Sequence, residues 1–495
     1  MSQPVLRLPS ASPSAVPLQW PEVGAAPGAS ASATASIRPR ALRLPQLLTT
    51  LCLAVGAVAV QAQTAGTPTR VGTTATASAT TSGAAAVPLS ELQALAAREQ
   101  PALLKTLQQL VEIESGSADR EGLERIAAVI AQRLKDLGGE VTLIEPGSDT
   151  YRMFDTPDKP GPMVQARFKG GGGRGKVLLI AHMDTVYPRG MLAQQPFRIE
   201  GQRAYGLGIA DDKQGVATIL HVLALLKSLG WKDCGEITVL INGDEEISSP
   251  ASRHRITQLG GEHDAVLSFE GGGGPEGPDL LRLATSGIGA ATLTVKGRSS
   301  HAGAAPERGV NALYELSHQV LQARDLSDPK VGRQVHWTVS KSGIVRNMIP
   351  PSADASADVR VERVEDFDWV EAELRKRIQN KLLPEAEVSL SFERRRPPLH
   401  ASPASRGLAE TLKSLASDQG MALTVKEVPT GGGTDAAFAA AATKAPVVEG
   451  FGVRGFGAHS TQAEFVQLDS IAPKMVLVAR TLMLLGAQGV PAPKP

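Results

Sequence analysis

The residues best suited to chemistry in this sequence are histidines and carboxylates that follow short apolar segments. His182 and Asp184 come directly after a continuous apolar run at residues 177–180, which predicts a strand buried on both faces of a parallel sheet. Residues two apart in an extended chain face the same way, so both side chains leave the strand end together. This pairing is typical of a metal-binding histidine, because the carboxylate fixes the tautomer and orientation of the ring.

Further acidic residues follow later elements of the same pattern. Two glycines precede Asp211, which comes just before a helix predicted at about 213–229. Predicted strands at 236–243 and 264–270 lead into Glu245, Glu246 and Glu270. Strands that alternate with helices predict an open α/β sheet, whose sites lie at the carboxyl ends of the strands. The candidates at this edge are His182, Asp211, Glu245, Glu246, Glu270 and His459.

Each candidate alone has a plain structural explanation, as a buried histidine or a solvated turn. Their joint occurrence at one sheet edge favours a metal centre instead. Mixed histidine and carboxylate ligands suit zinc, and a bridging carboxylate suits two zinc ions about 3.5–4 Å apart. Such a centre performs hydrolysis, because it polarises a carbonyl and activates water while a nearby carboxylate accepts the proton of that water.

The chain of 495 residues is too long for one ordinary core, and its pattern changes twice. Residues 88–286 and 398–490 carry the α/β pattern of a catalytic domain with a mixed β-sheet flanked by helices. Between them, residues 287–397 have the order β-α-β-β-α-β, which predicts an inserted ferredoxin-like α+β domain. The glycine-rich residues 170–176 lack the Ser/Thr that completes a phosphate loop, and we expect a hairpin loop there.

The amino-terminal residues do not belong to the predicted fold. Three arginines precede an apolar segment at residues 44–60, and small residues follow it, which predicts a signal peptide at about 37–62 and a periplasmic or secreted protein. The alternative is a membrane anchor, but the segment is only marginally long enough to span a bilayer. We expect residues 1–62 to be removed, a disordered linker at 63–87 and a disordered tail at 491–495.

Charge gives no indication of a nucleic-acid partner, since 51 basic side chains are balanced by 50 acidic ones.

Several longer strings resemble the secreted glutamate carboxypeptidase (carboxypeptidase G) branch of the dizinc aminoacylase and peptidase family, over roughly residues 89–488. These strings are AHMDTV, AYGLGIADDKQG, NGDEE, GRSSHAGAAPERGVNA, NMIPPSADASADVR, TGGGTDAA and GFGAHSTQAEFV.

The resemblance implies a role for each candidate. Asp211 would bridge two zinc ions, through a cis peptide bond to Asp212. Glu245 would be the general base, and Asp184 would orient a metal-binding histidine. The remaining ligands implied by the resemblance are His182 and Glu270 on one ion, and Glu246 and His459 on the other.

The inserted domain carries further residues that the resemblance assigns. It implies that His301 donates a hydrogen bond to the developing oxyanion, and that Asn347, Arg360 and Arg396 bind substrate. An arginine fork suits a terminal carboxylate, although a lone arginine is also common on a surface. The resemblance further implies that this domain is a lid and pairs two subunits into a homodimer.

One departure from the family concerns specificity. Glutamate-cleaving relatives carry a lysine where this sequence has Leu280, and Arg282 is the nearest cation in sequence. The sequence therefore supports the catalytic machinery more than it supports glutamate specificity. The resemblance as a whole implies a secreted, zinc-dependent metallocarboxypeptidase that releases a C-terminal, glutamate-type amino acid from N-acyl or peptidic substrates. A general N-acyl-amino-acid amidohydrolase is the alternative, an N-carbamoyl amidohydrolase is less favoured, and a catalytically inactive binding protein with the same cleft belongs to another class.

Overall fold

The structure, a computed structural model, describes residues 87–460 and 464–490. The predicted signal peptide, most of the predicted linker and the predicted tail lie outside the described residues. Helices form where an apolar face recurs with helical spacing, as in the predicted segments. The described residues contain nine α-helices: α1 (Leu89–Val111), α2 (Arg120–Asp136), α3 (Gln214–Ser228), α4 (Arg253–Glu262), α5 (Ala312–Gln322), α6 (Glu365–Arg377), α7 (Pro403–Asp418), α8 (Ala436–Ala440) and α9 (Ile471–Gln488).

The strands of the described residues form three sheets. They are β1 (Glu140–Ile144), β2 (Met163–Lys169), β3 (Lys176–His182), β4 (Arg198–Glu200), β5 (Arg203–Tyr205), β6 (Glu236–Asn242), β7 (Ala265–Ser268), β8 (Asp279–Arg282), β9 (Gly287–Lys296), β10 (Gln334–Ser342), β11 (Ser352–Val361), β12 (Glu387–Arg396), β13 (Leu423–Lys426), β14 (Val447–Glu449), β15 (Gly455–Phe456) and β16 (Phe465–Gln467). The largest sheet has the order β1-β2-β6-β3-β7-β14-β8-β13. It is mixed, since β3 is parallel to β6 and β7 whereas β2 is antiparallel to β6.

The continuous apolar run of β3 is explained by helices on both faces of this sheet. Val177 and Leu179 pack into a core shared with α1, α2, α3, α7 and α9. Leu178 and Ile180 belong to a separate core with α4 and α8. Successive strand residues point to opposite faces, so a strand covered on both sides needs apolar residues at every position. The predicted α/β class with helix-flanked mixed sheet is confirmed.

The loop at residues 170–176 is not a hairpin, so that expectation was wrong. β2 and β3 both pair with β6, which lies between them in the sheet. The loop therefore passes from one neighbour of β6 to the other. Its glycines allow close backbone packing: a Cβ on Gly170 would lie 1.6 Å from the backbone oxygen of Cys234.

The predicted β-α-β-β-α-β segment forms its own four-stranded antiparallel sheet with the order β10-β11-β9-β12. Helices α5 and α6 cover its apolar residues. A third, small antiparallel sheet has the order β15-β16-β5-β4. Sequence reasoning did not predict it, because its strands are only two or three residues long and show no clear alternation.

One segment of the described chain, residues 468–488, is long and apolar enough to cross a membrane by composition. Two-thirds of it (67%) is buried inside the protein, which is the arrangement of a core helix. It contains α9, whose residues pack against α1, α3 and α7. Its apolar character is therefore accounted for by packing within the protein.

Candidate metal centre

Three neighbouring parallel strands deliver the candidate ligands to one edge of the large sheet. His182, the last residue of β3, lies opposite Asn242, the last residue of β6. Glu245 and Glu246 follow β6 after a short turn. β7 is parallel to β3 on its other side and ends two residues before Glu270. The sheet register therefore places these side chains at a common edge, as expected from the sequence.

The central contact is between Asp211 and two histidines. His182 Nε2 lies 3.0 Å from Oδ1 of Asp211, and His459 Nε2 lies 3.3 Å from Oδ2 of the same carboxylate. His459 Nε2 also lies 3.1 Å from Oε2 of Glu246. Each oxygen of Asp211 thus faces a different histidine, which is the arrangement a bridging carboxylate requires. Its peptide bond to Asp212 is cis.

The donor set fits zinc. Ligand atoms of His182, Asp211 and Glu246 all lie within 4.8 Å of one another. Imidazole nitrogens and carboxylate oxygens are common zinc ligands, and together with His459 these groups can surround two neighbouring ions. Glu270 lines the same cavity.

Asp184 is fully buried and organises the base of the site. Its carboxylate Oδ1 lies 3.3 Å from His182 Nδ1, and its backbone oxygen lies 3.2 Å from the same nitrogen. The carboxylate also accepts backbone N–H bonds from Glu245 at 3.0 Å and Glu246 at 3.1 Å, and the Ser117 hydroxyl at 2.7 Å. One side chain therefore orients a candidate ligand and the glutamate pair together.

Burial sets the electrostatics of the cluster. It raises the pKa of Glu246 to about 8, although the hydrogen bond with His459 opposes the shift. Burial also raises the pKa of Glu270 well above its usual range, and the nearby Glu449 carboxylate adds to the effect. Hydrogen bonds to Asp211 and Glu246 raise the pKa of His459 to about 10. Such crowding of carboxylates favours a bound cation.

Glu245 is held by Arg396, one of the arginines expected to bind substrate. Arg396 Nη1 donates to Oε1 of Glu245, and Nη2 donates to its backbone oxygen at 2.7 Å. Arg396 is 3% exposed and also lies 3.7 Å from the carboxylate of Asp435. Burial raises the pKa of Glu245 to about 6, and the charge of Arg396 opposes that rise. In this structure Arg396 contacts the expected general base directly.

A cavity of about 660 Å³ opens beside the cluster and is large enough for a small organic substrate. Arg360 lines it and donates from Nε and Nη2 to Asp358, at 2.8 and 3.0 Å, and from Nη1 to the backbone oxygen of Gly431 at 3.0 Å. Since guanidinium has five N–H donors, one N–H remains on each terminal nitrogen of Arg360.

His301 and Asn347 are not among the residues that line this cavity. Both are exposed and lie beside each other within residues 287–397, where the Ala302 N–H donates to the Asn347 backbone oxygen at 2.9 Å. His301 Nδ1 accepts N–H bonds from Gly303 at 3.2 Å and Ala304 at 3.0 Å. Nδ1 therefore acts as the acceptor, which places the ring proton on Nε2.

The position that departs from the family, Leu280, also lies away from the cavity lining. Leu280 is half-buried on β8, and its N–H donates to the backbone oxygen of Gly272 at 2.8 Å. Arg282 donates to the backbone oxygen of Gly271 at 2.9 Å. Neither position therefore places a positively charged side chain in the wall of this cavity.

Sequence reasoning missed several residues that shape the site. Arg395 lines the cavity with Phe154, and it pairs with Asp155 at 2.7 Å. Ser117 supports Asp184, and Glu464 contacts the turn that carries Asp211. Glu464 had a usable signal, since it lies five residues after His459 within one of the family strings. The signal for Ser117 and Arg395 was absent, because their partners lie on remote segments.

Metal binding should depend on pH in a defined direction. In metal-free protein the pKa values of Glu246 and His459 are raised, so the folded state binds more protons than the unfolded state. This difference extends from about pH 4.5 to 8 for Glu246 and from about pH 6.5 to 10 for His459. Stability therefore falls as pH rises through these windows. Zinc needs deprotonated ligands, so it binds more tightly at higher pH.

We expect chelator-treated protein to lose stability between pH 5.5 and pH 8, and added zinc to restore more of it at pH 8. A ligand at 100 times its Kd stabilises by about 2.7 kcal/mol, which is readily seen as a shift in Tm. Thermal unfolding with and without zinc at both pH values measures this difference. An equal zinc-induced shift in Tm at both would contradict the expectation.

Comparison with known proteins relates this chain to a family of peptidases. The model of peptidase family M20/M25/M40 matches residues 178–484. The chain is 45% identical to carboxypeptidase G2 of Pseudomonas sp. (strain RS-16), over 79% of this chain and 90% of that protein. It is 28% identical to a succinyl-diaminopimelate desuccinylase of Gluconobacter oxydans (strain 621H), over 59% of this chain and 77% of that protein.

Solved structures agree with the fold. A metallo-carboxypeptidase of the M20 family from Sulfolobus solfataricus superimposes with a TM-score of 0.62 at 17% identity, over 77% of this chain and 98% of that one. At this identity the likeness concerns the fold alone.

Proposed function

Since this chain belongs to peptidase family M20/M25/M40 and is a metallopeptidase of the glutamate carboxypeptidase branch, we propose that it releases a C-terminal amino acid from N-acyl or peptidic substrates with the help of two zinc ions. Glutamate is the amino acid that the resemblance to the glutamate carboxypeptidase branch favours. The observation that carries the proposal is the contact of both Asp211 oxygens with separate histidines, beside a buried glutamate in one cavity.

The proposed ligands are those that the sequence indicated: His182, Asp211, Glu246, Glu270 and His459. Zinc bound there would polarise the scissile carbonyl and activate a water molecule. Glu245 takes the proton of the attacking water and passes it to the leaving amine. Its pKa of about 6 suits this role, because the group is ionised at neutral pH yet basic enough to accept a proton. Arg396 orients Glu245 through its two hydrogen bonds.

Arg360 is proposed to bind the C-terminal carboxylate of the substrate through its two remaining N–H groups. A hydrogen bond to a charged group contributes about 1.5–3 kcal/mol, which corresponds to roughly 10–150-fold in a rate constant. Wild-type kcat/KM for benzoyl-glutamate should therefore exceed that for its C-terminal amide by this factor. Arg360→Ala should lower kcat/KM for the acid to a similar extent and leave the amide nearly unchanged.

The matched control is Arg394→Ala, which removes an exposed arginine of β12 that pairs with Asp368 and Glu371. This control should behave as wild type with both substrates. If Arg360→Ala lowers kcat/KM equally for acid and amide, Arg360 does not read the carboxylate. If zinc-loaded wild type hydrolyses neither substrate nor other acyl-amino acids, the proposed function itself is wrong.

A general N-acyl-amino-acid amidohydrolase is the second candidate. The placement of Leu280 and Arg282 away from the cavity lining favours it, since neither supplies a cation for a glutamate side chain. The two candidates differ in the ratio of kcat/KM for acyl-glutamate to that for acyl-leucine or acyl-alanine. A ratio near one would favour the general amidohydrolase.

We also propose that residues 287–397 form a lid domain through which two chains associate into a homodimer. β10 is an edge strand of its sheet. Several large apolar side chains on β10, α5 and the adjacent loop are exposed, which is typical of an association surface. They are Tyr314 (62%), Leu321 (60%), Val339 (53%), Ile344 (86%) and Val345 (53%). No nucleic-acid partner and no stable membrane anchor are proposed.

Export is proposed from the arginine-flanked apolar segment alone. We expect the mature chain to begin near Gln63 and to be found in the periplasm or the medium. Amino-terminal sequencing of exported protein measures this directly. Recovery of residues 1–40 on exported protein would contradict it.

A further inference from the structure

Glu464 is a buried carboxylate for which the proposed reaction has no use. It is 2% exposed and lies five residues after His459 in the chain. A carboxylate so fully removed from water is costly unless hydrogen-bond donors surround it. Its partners therefore indicate why the chain keeps it there.

Four donors surround the Glu464 carboxylate, and three of them are backbone N–H groups of one turn. Oε1 accepts from Ala210 at 2.9 Å and Asp211 at 3.2 Å. Oε2 accepts from Gly208 at 3.0 Å and from the Tyr187 hydroxyl at 2.5 Å. A carboxylate has about four acceptor sites, so this group is saturated.

The turn that Glu464 holds is the one that aims the Asp211 carboxylate. Gly208 has the left-handed φ of +69°, and a Cβ there would lie 2.3 Å from the methyl carbon of Thr185. With this backbone path the N–H groups converge on one point, as in the concave anion-binding turns called nests. Without an anion at that point, three buried N–H groups would lose their partners.

Glu464 also joins this turn to the segment that carries His459. The Tyr187 hydroxyl that contacts Glu464 lies 2.9 Å from the backbone oxygen of Ser460, the residue after His459. The Glu464 backbone oxygen accepts the Gly206 N–H at 3.2 Å. Glu464 therefore holds the turn directly, and Tyr187, whose one O–H faces both Glu464 and Ser460, lies between it and the His459 segment.

We propose that Glu464 is a positioning residue of the metal centre, which fixes the turn at residues 208–211 and the His459 segment so that Asp211 can bridge. The proposal rests on the dizinc centre proposed above. A purely structural role would lower the stability of the fold, whereas a positioning role lowers zinc affinity in protein that is still folded.

The test compares Glu464→Gln with a control at another buried glutamate. Glutamine keeps the size of the side chain but presents an NH₂ group to donors that need an acceptor. Glu315 is fully buried, accepts a backbone N–H from Leu383 at 2.6 Å and lies in the second sheet's segment, so Glu315→Gln makes the same chemical change away from the metal centre. Zinc affinity is measured by chelator competition, with circular dichroism to establish folding.

We expect Glu464→Gln to raise the Kd of at least one zinc ion about 10–100-fold and to alter the visible spectrum of the cobalt-substituted protein, as removal of a group that orients ligands does. Excess zinc should restore much of its kcat. Glu315→Gln should retain wild-type zinc affinity even if its Tm falls. A folded Glu464→Gln with wild-type Kd for both ions and an unchanged cobalt spectrum would overturn the proposal.

Tyr187→Phe provides a second variant if Glu464→Gln does not fold. It removes one donor to a charged carboxylate, a hydrogen bond that contributes about 1.5–3 kcal/mol, so the zinc Kd should rise at least roughly 10-fold. Wild-type affinity in folded Tyr187→Phe would overturn the proposal. A wild-type protein that binds no zinc would instead overturn the metal centre, and this inference with it.

Discussion

Glu245→Gln is expected to lower kcat by roughly 10²–10⁴-fold while both zinc ions stay bound, because general-base catalysis by a positioned side chain contributes about that factor. Glu245 lines the cavity, and Arg396 donates to its carboxylate. Within the part of the chain that the structure describes, the Glu245 carboxylate forms no hydrogen bond with either histidine of the cluster. Glutamine has nearly the same shape but cannot accept the proton. The measurements are kcat for an acyl-glutamate and zinc content of the purified variant.

Glu246→Gln is the matched comparison, one residue along the same turn. Its carboxylate contacts His459 at 3.1 Å, so glutamine should cost zinc occupancy first and activity as a consequence. Activity of Glu246→Gln should therefore recover in part when zinc is added, whereas activity of Glu245→Gln should not. Equal zinc loss in both variants, with Glu245→Gln still near full activity, would show that the two roles are exchanged.

The sequence could predict those site residues that come directly after a single recognisable strand. The apolar run of β3 predicts a buried strand, and its end fixes the direction of His182 and Asp184. The parallel sheet then brings the ends of β6 and β7 to the same edge. His459 was also among the candidates at this edge, but its assignment to the same metal ion as Glu246 came from the resemblance, because it lies on a distant segment of the chain.

What sequence could not predict are contacts between remote segments. Arg396 and Asp184 are examples: the first reaches Glu245 from the end of β12, and the second receives the N–H groups of the turn after β6. The small third sheet is another, since β5 pairs with β16 from the far end of the chain. Strands of two or three residues leave too little pattern for the pairing to be read.

The loop at residues 170–176 is a case in which the local pattern predicted the wrong strand pairing. Two adjacent strands with a glycine-rich connection favour a hairpin, because sequential strands usually pair. Here β6 lies between β2 and β3, so its register with both strands decides the arrangement. That choice depends on packing of the whole sheet and leaves no trace in the connecting loop.

The last prediction concerns His301, which we expect to act on the active site of the partner subunit in the proposed homodimer. His301 is exposed, is not part of the cavity lining, and has its Nδ1 engaged by two backbone N–H groups, so Nε2–H is free to donate to an oxyanion. Loss of one oxyanion donor typically costs about 10²–10³-fold in kcat. His301→Ala alone should therefore be nearly inactive.

Mixing decides whether His301 acts within its own chain. In a heterodimer of His301→Ala and Glu245→Gln subunits, an action across the interface leaves one of the two sites with both groups intact. Random exchange of an equimolar mixture should then recover about a quarter of wild-type activity. In the control mixture of Glu245→Gln with Glu246→Gln each chain carries its own damaged site, so the mixture should be no more active than the average of the two unmixed variants. Subunit exchange is followed by native mass spectrometry, and absence of recovery in a fully exchanged first mixture would mean that His301 serves its own chain.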